Sequence, residues 1–149
     1  MSLYRWDTIS SALWHLHGDL LEETIFATAC EGDDPRIPRA RMCRPWALLA
    51  ALSALADPAE EHSTPCIVDI DIDYFTGEGV DSAYCQIFSD DFIRCVGLQL
   101  QRGITNGRFA VVTVALSPET TGSWSLAERT LALLLEKFST FDSFRAAAP

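Results

Sequence analysis

The sequence predicts an α/β fold, three-layered, with a mostly parallel sheet covered by helices. Three observations lead there. Single strand-like runs alternate with helix-like runs along the 149 residues. The run Trp46 to Ala56 is apolar nearly all round, as a buried helix requires. Apolar residues make up 48% of the chain and charged residues 21%, a balance that supports a folded core.

Taken in order, Asp7 caps a short helix through Leu16, with Ile9, Leu13, Leu16 and Leu20 at helical spacing and Gly18 at its end. Glu23 to Ala29 is short and β-rich, so a strand is expected. Residues 30–45 hold Gly, Pro, Asp and Arg without periodicity and read as a loop. The helix 46–56 follows, built from strong helix formers, and Asp57-Pro58 ends it. Cys66 to Tyr74 is the second strand, and Gly77-Glu78-Gly79 opens a loop. Ser89 caps a helix with Asp90 and Asp91 in its first turn, where negative charge suits the helix dipole. Ile93, Val96, Leu98 and Leu100 give it a loose apolar face before Gly103. Arg108 to Leu116 is the third strand, followed by a loop around Pro118 and Gly122. Ser125 with Glu128 forms a capping box for a last helix reaching about Phe138. Residues 139–149 read as a flexible tail. No internal repeat and no domain boundary is legible, so 1–149 reads as one domain.

The net charge of −10 argues against nucleic acid, because phosphate is held by clustered Lys and Arg and only 11 basic residues are spread over the chain. It disfavours anionic membranes for the same reason and attracts cations. No apolar run approaches the roughly 18 residues of a membrane span. Five cysteines, an odd number without C-x-x-C spacing, are expected to be reduced thiols in a cytoplasmic protein. Cys66, Cys85 and Cys95 read as small buried residues. Trp6, Trp14, Trp46 and Trp124 read as core or interface anchors. Arg36, Arg39, Arg41 and Arg44 read as a solvated loop, with anion binding as the sharper alternative.

The most informative segment is Asp69-Ile70-Asp71-Ile72-Asp73. Carboxylates two apart on a strand share a face, about 6.7 Å between neighbours. Three anions side by side raise one another's pKa, and a divalent cation relieves that repulsion. The bland alternative is an exposed strand face, or aspartates capping loop amides. An Asp-x-Asp at a strand end also opens the haloacid-dehalogenase phosphatases, which would use magnesium. The place where those enzymes carry Thr or Val holds Asp73 or Phe75 here, and Lys137 is the only lysine available.

Val68-Asp69-Ile70-Asp71-Ile72-Asp73-Tyr74-Phe75 resembles the D-I-D-L-D-Y-F signature of the peptide arginase family, a branch of the arginase-like ureohydrolases. Ser89-Asp90-Asp91-Phe92-Ile93 resembles its S-D-E-Y-I helix start. Val112 to Glu119 resembles its strand ending in A-L-S-P-E, with Gly122 and Trp124 near the expected G-G-W. The three agree in order over roughly residues 66–138. The resemblance implies part of an arginase-like domain, its C-terminal half. It also implies a manganese enzyme that hydrolyses peptide arginine to ornithine and urea through a metal-bridging hydroxide. Asp71 and Asp73 would match the metal-binding D-x-D, with Asp69 as a supporting carboxylate. Glu119 would be the acid that pairs with the guanidinium.

Such a site also uses an upstream histidine and a D-x-H-x-D segment. The nearest spacing is His15-Leu16-His17-Gly18-Asp19, on a helix end, where two histidines one residue apart do not share a face. His62 sits in a polar loop beside Glu60 and Glu61. A sheet of three strands leaves edges to cover, so self-association into a homo-oligomer is expected. The competing expectation is a non-catalytic descendant that uses the fold for binding or assembly.

Overall fold

A computed structural model describes residues 24–27, 40–43, 47–59 and 65–138. The chain divides into two compact units, Met1–Leu48 and Leu49–Pro149. In the first, β1 (Thr24–Ala27) pairs in parallel with β2 (Ala40–Cys43), Thr24 opposite Ala40 and Ala27 opposite Cys43. The expected strand at 23–29 is therefore present in shortened form. A second strand occupies part of the stretch read as loop. Four residues, Ala-Arg-Met-Cys, are too few to show a two-residue period, and only pairing with β1 makes them a strand.

The second unit holds α1 (Leu48–Ala56) from its second residue on, β3 (Cys66–Asp71), a 3-10 turn (Ile72–Phe75), and the antiparallel pair β4 (Thr76–Glu78) and β5 (Tyr84–Gln86). Then follow α2 (Asp90–Thr105), β6 (Phe109–Ala115), the short α3 (Pro118–Thr121) and α4 (Trp124–Leu135). β3 and β6 run parallel, Ile67 opposite Val111 and Asp71 opposite Ala115. Among the described residues two of the three strand pairs are thus parallel, and the fold is α/β with a small, mostly parallel sheet component.

Helix α2 explains how one side of the β3–β6 pair is covered. Ser89 caps it as the sequence indicates, its hydroxyl accepting from the Phe92 amide at 3.2 Å. Its buried face is Ile93, Val96, Gly97, Leu100 and Gly103, a helical stripe. Leu98, counted on that face from the sequence, lies on the outer side, 41% exposed. The two glycines complete the stripe because α4 and the strand approach too closely for side chains. A methyl at Gly97 would overlap the Leu134 carbonyl, and one at Gly103 would overlap the Phe109 ring. Ile70, Ile72, Phe75, Phe109 and Leu134 fill the core between them. At the far end, Asn106 and Arg108 donate to the last carbonyls of α1, Ala56 O at 2.9 Å and Leu55 O at 3.3 Å. Those carbonyls have no partners within the helix itself.

Several boundaries differ from the sequence reading. The strand expected through Tyr74 stops at Asp71, where the Asp71 side chain accepts the Asp73 amide and turns the chain. The loop at Gly77–Gly79 is the start of a hairpin, since Gly79 N bonds to Ala83 O at 2.8 Å. Pro118 to Thr121 is a turn of helix, Pro being well placed at a helix start. The last helix is capped by Ser123, which accepts from the Leu126 amide, and not by Ser125. Cys85 and Cys95 are exposed and Cys66 is half-buried, so the expected full burial of these thiols is corrected. Trp124 is 60% exposed and is no core anchor of this unit. The other face of the β3–β6 pair carries exposed Ile67 and Val111. The expected helix at 7–16, the tail at 139–149, His15, His17, Asp19, His62, Arg36, Arg39, Arg44, Trp6, Trp14 and Trp46 lie outside the described residues. Among the described residues no helix is long and apolar enough to cross a membrane.

Candidate carboxylate site

Parallel strands send their chain exits to one edge of a sheet, so β3 and β6 deliver Asp71 and Leu116-Ser117 side by side. There the chain changes direction twice, into the 3-10 turn after Asp71 and into α3 after Ser117. Asp71 is half-buried in this corner. Its Oδ1 accepts the Asp73 amide at 3.2 Å, and its Oδ2 accepts the Ser117 hydroxyl at 3.1 Å. Burial pushes the Asp71 carboxyl up to about 6. The Ser117 and Asp73 hydrogen bonds work against that rise, and the Asp73 charge adds to it.

The three aspartates do not line one strand face as the spacing suggested. Asp69 lies on β3, exposed, and accepts the Thr113 hydroxyl from its register partner on β6. Asp73 has left the strand and sits in the 3-10 turn, half-buried, its carbonyl accepting the Thr76 hydroxyl at 3.2 Å. The period-2 argument fails because the Asp71 side chain bonds to the backbone two residues on, a local turn that competes with extended strand. Glu119 lies exposed in the first turn of α3, two residues beyond Ser117.

Aromatic stacking links the turn to the start of α2. Tyr74 stacks on Phe88 with centroids 5.4 Å apart, Phe88 stacks on Phe92 at 4.6 Å, and Phe75 meets Phe88 edge-on at 6.2 Å. The three segments singled out in the sequence therefore meet: the first and second through these rings, the first and third through Asp71 and Ser117. No protein-family model, no curated protein and no solved structure matches the chain.

Ser117 and Thr113 are the partners that the spacing of acids did not bring forward. Ser117 lies in the segment Val112 to Glu119, and its contact with Asp71 is a product of strand pairing, 46 positions apart in sequence. Oxygen donors of this kind suit a hard divalent ion, and a cation beside Asp71 would reverse the rise that burial imposes on it. Among the described residues, however, no three His, Cys, Asp or Glu side chains come together as a metal-holding group. Asp71 and Asp73 are the two acids nearest this corner, one at the end of β3 and one in the turn beyond it.

Proposed function

We propose that the chain is a metal-dependent hydrolase of guanidino groups. In this reading it is related to the peptide arginases, with manganese as its ion and peptide-borne arginine as its substrate. The observation that carries the reading is the half-buried Asp71 carboxylate at the carboxyl end of β3, with Asp73 directly beyond it and Glu119 leaving the neighbouring strand. The meeting of the three motif segments at this edge supports it.

Asp71 and Asp73 would hold the ion, and Asp69 on the same strand would add negative potential from its exposed position. A bound divalent ion supplies a low-pKa water as nucleophile. The chain's own contribution is to bind and orient. A planar guanidinium matches a carboxylate in a paired fork, a contact Glu119 offers from the rim. A second copy of the chain would supply the remaining ligands and so complete the site. The three-layer, arginase-like arrangement and self-association belong to the same proposal. Exposed Ile67 and Val111 provide apolar surface on the uncovered sheet face that either arrangement would bury.

Calorimetry with Mn²⁺ tests this directly, beside an Asp71→Asn/Asp73→Asn double variant. Saturable binding that the double variant loses, with urea released from an arginine peptide, is the expected result. Absence of saturable binding by the wild-type chain sinks the reading.

A second reading has one observation in its favour, the lack of a third ligand near Asp71 among the described residues. It makes the chain a non-catalytic binding or assembly protein on the same fold. Metal binding without urea release would favour it.

A further inference from the structure

The β4–β5 hairpin and the start of α4 expose aromatic and apolar side chains that the carboxylate corner does not use. Tyr84 is 44% exposed, Trp124 is 60% exposed, and Val80 in the hairpin turn is wholly exposed. A close approach holds Tyr84 beside the α3–α4 junction. A methyl at Gly122 would overlap the Tyr84 Cβ and ring, and the φ of 89° there also favours glycine. Gly122 ends α3 and stands two residues before Trp124, the first residue of α4. Glu78 is the register partner of Tyr84 across the hairpin, so the two side chains share a face. Single exposed apolar residues are ordinary, but aromatic residues grouped beside a polar rim mark an interaction surface.

Charge selects the partner. Segments 72–89 and 109–127 carry Asp73, Glu78, Asp81 and Glu119 and contain no Lys or Arg. Glu78, Asp81 and Glu119 are exposed. The bases that follow these segments are engaged elsewhere, Arg94 with Asp91 and Glu136, and Arg129 with Asp90. A second copy would bring the same acids to a two-fold contact here, which argues for a partner of opposite charge. We infer that Tyr84 and Trp124, with Glu78 beside them, dock a basic segment of a partner protein in which Lys or Arg is interleaved with apolar side chains. A cation sits favourably over an aromatic face. The aliphatic stem of Lys or Arg lies along the rings while its charged end reaches a carboxylate. Val80 adds apolar contact at the hairpin turn. The surface needs no metal ion, so the inference stands apart from the metal-site proposal.

A labelled peptide alternating Lys and Leu is the probe, added to the full chain in EDTA. It carries no guanidinium, so it is no substrate for the proposed hydrolysis. Fluorescence anisotropy is expected to show saturable binding that weakens as salt is raised. A Glu–Leu peptide of the same length is expected not to bind. Tyr84→Ala and Trp124→Ala should each weaken binding by about tenfold, and Glu78→Gln by about two- to fivefold. The backbone amides of Val80, Ala83 and Gly122 should shift in NMR spectra as the Lys–Leu peptide is added. Trp124 and Glu78 are exposed, so thermal unfolding of Trp124→Ala and Glu78→Gln should stay near wild type and separate lost binding from lost fold. No saturable binding by the wild-type chain, equal binding of the Glu–Leu peptide, or affinity unmoved by both aromatic substitutions overturns the inference. A dimer that Trp124→Ala dissociates also overturns it, by giving the surface to a second copy. Because metal is absent throughout, failure here leaves the metal-site proposal standing, and a lack of Mn²⁺ binding leaves this surface standing.

Discussion

Gly97 of α2 lies directly against the carbonyl oxygen of Leu134 in α4, leaving no room for even a methyl group. Backbone meets backbone there, so neither partner has a side chain that can swing aside. Gly97→Ala is therefore expected to push α4 away and destabilise the second unit by about 2–3 kcal/mol. The gain in helix propensity from Gly to Ala, roughly 1 kcal/mol, is too small to offset it. Urea unfolding checks this, and an unchanged midpoint would refute the close approach.

The titration of Asp71 sets a pH dependence for the metal-free protein. Its carboxyl ionises at about 6 in the fold against 3.8 in the unfolded chain. Between those values the folded state binds more protons, so stability falls as pH rises from about 4 to 6. Half exposure screens the effect, and about 1 kcal/mol is the expected size. Asp71→Asn should flatten the profile in that window. A profile equally steep in the variant would mean another group is responsible.

Asp69 and Asp71 should differ in what their loss does to cation binding. Asp71→Asn is expected to abolish it. Asp69→Asn should weaken it only a few-fold, because Asp69 is exposed and already engaged by Thr113. Equal losses from the two substitutions would show that both carboxylates contact the ion.

The cap of α4 offers a clean stability comparison. Ser123→Ala removes the acceptor for the Leu126 amide and should cost about 1 kcal/mol. Ser125→Ala should stay within about 0.5 kcal/mol, as for an exposed position that makes no cap bond. Thermal unfolding of both variants settles which serine begins the helix.

The sequence by itself determined the α/β class, the two long helices of the second unit, the Ser89 cap, and the concentration of acids at one strand end. Each is a local signal, carried by side-chain period, capping chemistry or residue type within a few positions. Tertiary structure decided the rest. Ala40–Cys43 is a strand only because β1 pairs with it, and Gly97 and Gly103 face the core only because α4 and Phe109 press on them. The aspartate row is broken by a hydrogen bond from Asp73 to Asp71, which alternation alone does not encode. Ser117 reaches Asp71 because the parallel register places Ala115 opposite it. Contacts between strands 40 or more positions apart depend on register and on the turn after each strand, and neither is written in the residues that finally touch.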